Sequence, residues 1–242
     1  MDRRLEDISQ NFERMIIGLD DTFRFHCTMC GKCCINREDI LLNALDVYNL
    51  AKELKKSTTD VFQEYCEAYV GKYSHMVIVR LRPLGSAKRC PLLKGQKCIV
   101  HNAKPTVCAL YPLGRTMMSK TDQPPEFSKR KPQYILQEIK CGDKSETHTV
   151  REWLNEFNIS EHDMFFPLWT QTISDISSFV RETEKHAGEK AKSLVFYAIL
   201  ISIYLKYDTD KPFLPQFQEN SSKFFSVMSQ AGITPKPFTI HE

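Results

Sequence analysis

Cys27-Thr28-Met29-Cys30-Gly31-Lys32-Cys33-Cys34 crowds four thiols into one short loop, and Cys90, Cys98 and Cys108 follow further along the chain. Thiolates repel one another and oxidise readily, so a fold that gathers this many needs a cation, an iron–sulfur cluster or disulfide bonding to hold them. The total of nine cysteines is odd and the chain is 242 residues long. A disulfide framework is expected mainly in short secreted chains. The opening Met1-Asp2-Arg3-Arg4-Leu5-Glu6-Asp7 does not read as a secretory signal, so a cytoplasmic, reducing location and metal coordination are expected.

The remaining composition narrows the function classes. With 33 basic and 30 acidic residues the net charge is only +3, which gives no strong nucleic-acid signal. The longest apolar run, Leu194 to Leu205, is bounded by Lys192 and Lys206. It falls well short of the roughly 20 residues that span a bilayer, and reads as a buried helix with no membrane role. The nine glycines form no phosphate-binding loop and no nucleophile elbow, and no His-Glu-x-x-His is present. Conventional nucleotide-dependent chemistry is disfavoured.

Periodicity sets the organisation. Leu5, Ile8, Phe12, Met15, Ile16 and Leu19 recur at helical steps, which predicts an amphipathic helix ending near Gly18. Phe23-Arg24-Phe25-His26-Cys27 alternates and should enter the cysteine loop extended, with Gly31 supplying an unusual backbone turn. Asp39 or Asn43 can cap a helix through Leu54, and Ser57 to Asp60 can start another carrying Val61, Phe62, Tyr65 and Tyr69. Met76 to Arg82 reads as a strand, 119–133 as an exposed Pro-rich loop, and 133–141 as a returning strand. From Thr149 the pattern is helical: Val150, Trp153, Leu154 and Phe157 share a face, and Ser160 to Asp163 opens the next helix. The expected fold is α+β, predominantly α, with cysteine-rich metal-binding loops and a short β-sheet packed against a C-terminal helical layer. The expected division is a metal-binding region over 1–148 and a helical region over 149–242.

Cys27, Cys30 and Cys33 have the C-x2-C-x2-C spacing that lets three sulfurs converge, as in the cluster run of bacterial ferredoxins. The ferredoxin run continues to Cys-Pro, whereas here Cys34 follows at once and the next Cys-Pro is Cys90-Pro91. The side chains of the adjacent Cys33 and Cys34 are expected to diverge and to serve two metals, or one metal and a structural contact. A tetrahedral zinc or a cubane cluster takes four thiolates. Seven cysteines therefore leave an excess that a second metal, an open position or a redox-active thiol must absorb. Among Lys32, Arg37, Arg80, Arg82, Lys88, Arg89, Lys94, Lys97 and Lys104, two or three are expected beside the sulfurs to offset their charge. Cys66 is expected to pack in the core, and His101 to pack or hydrogen-bond rather than ligate.

Phe25-x-Cys27-x2-Cys30-Gly31-x-Cys33-Cys34, then Cys90-Pro91-x-Leu93, Cys98-Ile99, Lys104-Pro105-x2-Cys108 and Tyr111-Pro112 resemble the signature of the YkgJ-type CxxCxxCC proteins, a family associated with zinc or iron chelation. The resemblance covers about residues 23 to 114. It implies that Cys27, Cys30, Cys33, Cys34, Cys90, Cys98 and Cys108 are metal ligands, with Cys141 as an eighth. The chain departs from the pattern at His101, where Tyr is usual, and at Lys104 and Ala109, where Arg is usual. Zinc and iron, including an iron–sulfur cluster, both stay open at this point. So do three roles: a metal-binding cysteine-cluster protein, an enzyme that uses the centre to modify a protein or small molecule, and a zinc-stabilised module for a protein partner.

Overall fold

The computed structural model describes residues 10–72, 74–117 and 130–233. Leu5 and Ile8 of the first expected helix, and Pro124 and Pro125 of the expected loop, lie outside the described residues. The fold is α+β with helices predominating and small antiparallel sheets. Among the described residues no helix is long and apolar enough to cross a membrane.

The chain divides into two compact units at points other than the expected boundary after residue 148. Unit 1 comprises Met1–Glu38 and Pro83–Thr170; unit 2 comprises Asp39–Arg82 and Gln171–Glu242. Cys27, Cys30, Cys33, Cys34, Cys90, Cys98, Cys108 and Cys141 all fall in unit 1. Cys66 alone falls in unit 2.

Unit 1 is built on short strands around an aromatic core. Gln133–Leu136 is the middle strand of three, pairing with Ile16–Ile17 on one side and Leu113–Thr116 on the other. The helix over residues 10–15 ends where the β-branched Ile16 pairs with Ile135, so the expected continuation to near Gly18 is replaced by a sheet edge. Thr22–His26 pairs with Asp143–Thr149, a strand that sequence patterning misses because its seven residues are polar and mostly exposed. Thr22–His26 itself alternates as expected, turning Phe23 and Phe25 inward. There they pack with Leu110, Leu113, Tyr134, Val150, Trp153 and Leu154. Trp153 stands edge-on to both Phe23 and Phe25 at 5.8 and 5.5 Å between ring centres, and its indole N–H donates to the Leu110 carbonyl. It is carried by the helix Val150–Glu156, started by a reciprocal cap between Thr149 and Glu152. The next helix, Phe165–Glu184, is capped by Asp163, the last residue of the expected Ser160 to Asp163 opening, whose Oδ1 accepts from the N–H groups of Phe165 and Phe166.

In unit 2, Asn43 and Asp46 form a capping box for Ala44–Leu54, and Ser57 and Asp60 do the same for Thr58–Tyr65, as the sequence predicts. The second helix stops earlier than expected. Cys66–Val70 is instead a strand along Val77–Leu81, whose other edge takes Leu41–Leu42. Pairing with a β-branched neighbour outweighs the local helical period of Val61, Tyr65 and Tyr69. The apolar run is a helix over Glu189–Ile199 that widens to π geometry over Leu200–Leu205. Its final carbonyls are satisfied from outside: Thr58 donates its hydroxyl to the Leu205 carbonyl, and Asn220 its amide to Lys206 at 2.7 Å. Phe213–Gln230 closes the unit and buries Phe217, Phe224 and Met228.

Candidate metal centre

Thr22–His26 delivers Cys27 from the aromatic core, against which Cys27 itself packs. The chain then turns. Gly31 adopts φ +71, a left-handed conformation that glycine takes without penalty, and Lys32–Cys34 follow as a single 3-10 turn. Consecutive side chains on such a turn are about 120° apart rather than on opposite faces as in a strand. Cys33 and Cys34 therefore do not diverge as expected; their sulfurs lie 3.8 Å apart.

The excursion of the chain through residues 39–82 leaves and re-enters unit 1 beside this turn. Asn36 N–H donates to Ala87 and Arg37 N–H to Lys88, and the Cys90 N–H donates to the Cys34 carbonyl at 2.8 Å. The ion pair of Lys88 with Glu38 at 2.9 Å fastens the same crossing. The Cys34 thiol consequently reaches the Cys90 thiol. A tight hairpin pairs Leu93 with Cys98, and Arg89 donates to the carbonyls of Leu93 and Gly95 inside it. The Cys98 thiol in turn accepts the Val100 N–H. Cys108 sits on the one-turn helix Thr106–Leu110, its N–H bonded to Pro105.

Cys141 arrives with Gly142 from the far end of the sequence. At φ +71, Gly142 crosses the first strand so closely that a Cβ there would lie 2.3 Å from the His26 carbonyl and 2.7 Å from the Phe25 ring. The position needs glycine on both counts. Its N–H, with that of Lys32, is directed at the Cys30 sulfur, and these two bonds, aided by the Thr28 hydroxyl and the Lys32 charge, hold that thiol below its ordinary pKa. Cys141 bonds to the hydroxyl of Tyr111 and to the Cys33 thiol, and burial pushes its pKa up to about 11. Tyr111 is anchored edge-on to Phe25 at 5.5 Å and also accepts the Lys140 N–H at 2.7 Å. Cys141, Cys33, Cys34 and Cys90 thus form a continuous row of thiol contacts.

The inner thiols are held neutral. Hydrogen bonding to Cys34, then burial, raises Cys33. For Cys34 the bond from Cys33 acts downward, but the bond to Cys90 and burial outweigh it. Burial also raises Cys98 and Cys108; Cys108 keeps some exposed surface, yet its thiol is enclosed. Of the nine cations flanking cysteines in sequence, three act on these thiols. Lys32 acts on Cys30, Arg37 on Cys33 and Cys108, and Lys104 on Cys33 and Cys98. Arg37 is steadied by its bond to the Cys33 carbonyl at 3.4 Å, and Lys104 lies 5.0 Å from the centre of the Phe157 ring. Arg80 and Arg82 belong to unit 2, where Arg80 pairs with Glu67 and Arg82 binds the carbonyls of Gln63 and Cys66. Cys66 is fully buried on its strand, pushed up to about 12 by burial. His101 stands half-buried on a separate 3-10 turn, where burial, then Lys104, lowers its pKa.

The donor set suits a thiophilic ion, being all sulfur with cations and N–H groups around it. Among the described residues no three side chains of His, Cys, Asp or Glu are already drawn together as a bound metal would hold them. Closing the site around an ion requires deprotonation and inward rotation of side chains.

Residues 26–141 match a family described as "CxxCxxCC: Putative zinc- or iron-chelating domain". Just under half of the chain is therefore similar to a CxxCxxCC domain. The domain begins one residue before Cys27 and ends on Cys141, so it takes in every cysteine of the chain, Cys66 included. No curated protein and no solved structure matches the chain. Sequence reasoning gave no positioning role to two residues that hold the cysteine loops, Gly142 and Tyr111. Gly142 is signalled only by the Cys-Gly pair, and the hydroxyl of Tyr111 by nothing in its spacing.

Proposed function

We propose that this chain is a metal-chelating protein that holds a zinc or iron ion through cysteine thiolates of its CxxCxxCC domain. The observation that carries the reading is the sorting of the cysteines. Eight from three separate stretches of chain, 27–34, 90–108 and 141, fall in one unit with three cations, and the ninth is left in the other. Chance packing of reduced cysteines has no reason to sort them in this way.

The 3.8 Å separation of the Cys33 and Cys34 sulfurs favours a single ion over a cubane cluster. Two thiolates on one tetrahedral zinc, each at about 2.3 Å, stand about 3.8 Å from each other. In a cubane each thiolate binds a different iron, which calls for wider spacing. A tetrahedral all-sulfur site suits zinc or iron. When bound, the ion supplies a fixed positive centre that links the loops at 27–34, 90–108 and 141. The chain's own part is to present the thiols, offset their charge with Lys32, Arg37 and Lys104, and direct N–H groups at Cys30 and Cys98.

The test is purification without oxygen followed by metal and acid-labile sulfide analysis and a visible spectrum. Stoichiometric zinc or iron without sulfide is expected. Sulfide with a broad visible band would replace the single-ion version by an iron–sulfur cluster. Protein that stays metal-free when offered either ion would overturn the reading.

A further inference from the structure

Unit 2 contains a cavity of about 320 Å³, at the small end of the range of ligand pockets, with every lining residue drawn from that unit and no cysteine among them. We infer that it is a second binding site, separate from the cysteine loops, and that it takes a small primary amine with an apolar body. A carboxylate, an imidazole and an unpaired buried hydroxyl, those of Glu184, His75 and Thr183, line one apolar chamber.

The turn between the strands Cys66–Val70 and Val77–Leu81 supplies the imidazole. Gly71 allows the turn to close, since a Cβ there would stand 2.4 Å from the Ser74 hydroxyl and 2.6 Å from the Ile78 side chain. Its carbonyl accepts the His75 N–H at 2.8 Å, and His75 adopts φ +58, a conformation uncommon for a residue with a Cβ. Two bonds fasten the turn to the helix Phe165–Glu184. Ser177 donates its hydroxyl to the Ser74 carbonyl at 3.1 Å, and His75 Nδ1 meets a Glu184 carboxylate oxygen at 2.7 Å, so that Nε2 is the ring nitrogen that remains for a ligand. Thr183, one residue earlier on the helix, is buried, and its hydroxyl has no hydrogen-bond partner. A helical threonine can bond back to the carbonyl one turn earlier, and a buried hydroxyl left unpaired is costly. A polar ligand group in the cavity relieves that cost.

Charge selects a cation. The lining holds the carboxylates of Glu184 and Glu189 and the ammonium of Lys192. Glu189 is already matched: it lies in the first turn of Glu189–Ile199, at the positive end of that helix, and Lys192 binds it at 2.9 Å. Glu184 is the reverse. It ends its helix, where the negative end of the dipole adds to its own charge, and it meets an imidazole rather than a lysine or arginine. An ammonium carries three N–H donors, and the Glu184 carboxylate, the Thr183 hydroxyl and His75 Nε2 can accept them. Phe196 and Tyr197, edge-on to each other at 5.4 Å between ring centres, also line the cavity, and aromatic faces attract an ammonium. The buried side chains of Val77, Val180, Val195 and Ile199 form a wall for an aryl or alkyl group. An acid of the same size meets Glu184 as a like charge and finds Lys192 engaged.

The full chain is titrated by calorimetry at mildly alkaline pH with phenethylamine, phenethyl alcohol and phenylacetate, which keep the ring and change the head group. Phenethylamine is expected to bind once per chain and about tenfold more tightly than the alcohol, the worth of one charge-assisted hydrogen bond, with phenylacetate weakest. Glu184→Gln should abolish the preference for amine over alcohol. Thr183→Val should weaken the amine without lowering the unfolding temperature, because valine keeps the shape and removes the unpaired hydroxyl. The ranking of head groups in the unaltered chain decides the matter even where a variant fails to fold. Binding of none of the three, equal affinity for amine and alcohol, a preference for phenylacetate, or an unchanged ranking in folded Glu184→Gln would each contradict an amine site.

Discussion

Gly142 carries more of the site than its size suggests, because its backbone serves the strand beneath it and the thiol above it. Any side chain there meets the His26 carbonyl and the Phe25 ring, and φ +71 is strained for every residue with a Cβ. Gly142→Ala should destabilise unit 1 by on the order of 1–3 kcal/mol and displace the N–H that faces Cys30. Thermal unfolding compared with the unaltered chain measures the first effect, and the alkylation rate of Cys30 measures the second. A slower-reacting Cys30 follows from the loss of a bond that favours its thiolate. Cys66 is the internal control at this scale. It is buried among unit 2 residues, and Cys66→Ala should leave metal content unchanged.

Among elements, the helix Val150–Glu156 and the strand Thr22–His26 matter most to the centre, because Trp153 and Phe25 fix the direction from which Cys27 and Tyr111 approach. Trp153→Ala should cost about 3–5 kcal/mol and take metal occupancy with it. Asn43→Ala removes a cap in unit 2 at about 1 kcal/mol and should leave occupancy intact; denaturant titration with metal analysis reads both. The same elements show what was legible in the chain. The Phe23/Phe25 alternation and the caps at Asn43 and Ser57 depend on local spacing, and local spacing is written in the sequence. Asp143–Thr149 is polar throughout and becomes a strand only because Thr22–His26 is there to pair with it. Cys66–Val70 reads as helix until Val77–Leu81 competes for it. The thiols of the 27–34 loop were evident from spacing. Their meeting with Cys90 was implied only by the family resemblance; the backbone bonds of Asn36 and Arg37 to residues 87 and 88 that bring it about are recorded in no side-chain pattern.

At the scale of the molecule, two units interleave in sequence, and eight of the nine cysteines fall in one of them. The stretch that matches the CxxCxxCC family begins and ends in unit 1 but includes the stretch 39–82 that belongs to unit 2. Hydrogen bonding to Cys34 and then burial raise Cys33, the bond to Cys90 and then burial outweigh the downward pull of Cys33 on Cys34, and burial raises Cys98 and Cys108, so these thiols are protonated at neutral pH and an ion must displace their protons. Each such proton should weaken binding by about tenfold per unit fall in pH. Acidification therefore releases the ion, and calorimetry in buffers of different ionisation enthalpy should count close to four protons released per ion. The most direct test of thiolate chelation is the X-ray absorption spectrum of the metal-loaded chain at the metal edge. An all-sulfur shell at about 2.3 Å is expected; a shell of nitrogen or oxygen at about 2.0–2.1 Å would contradict the account.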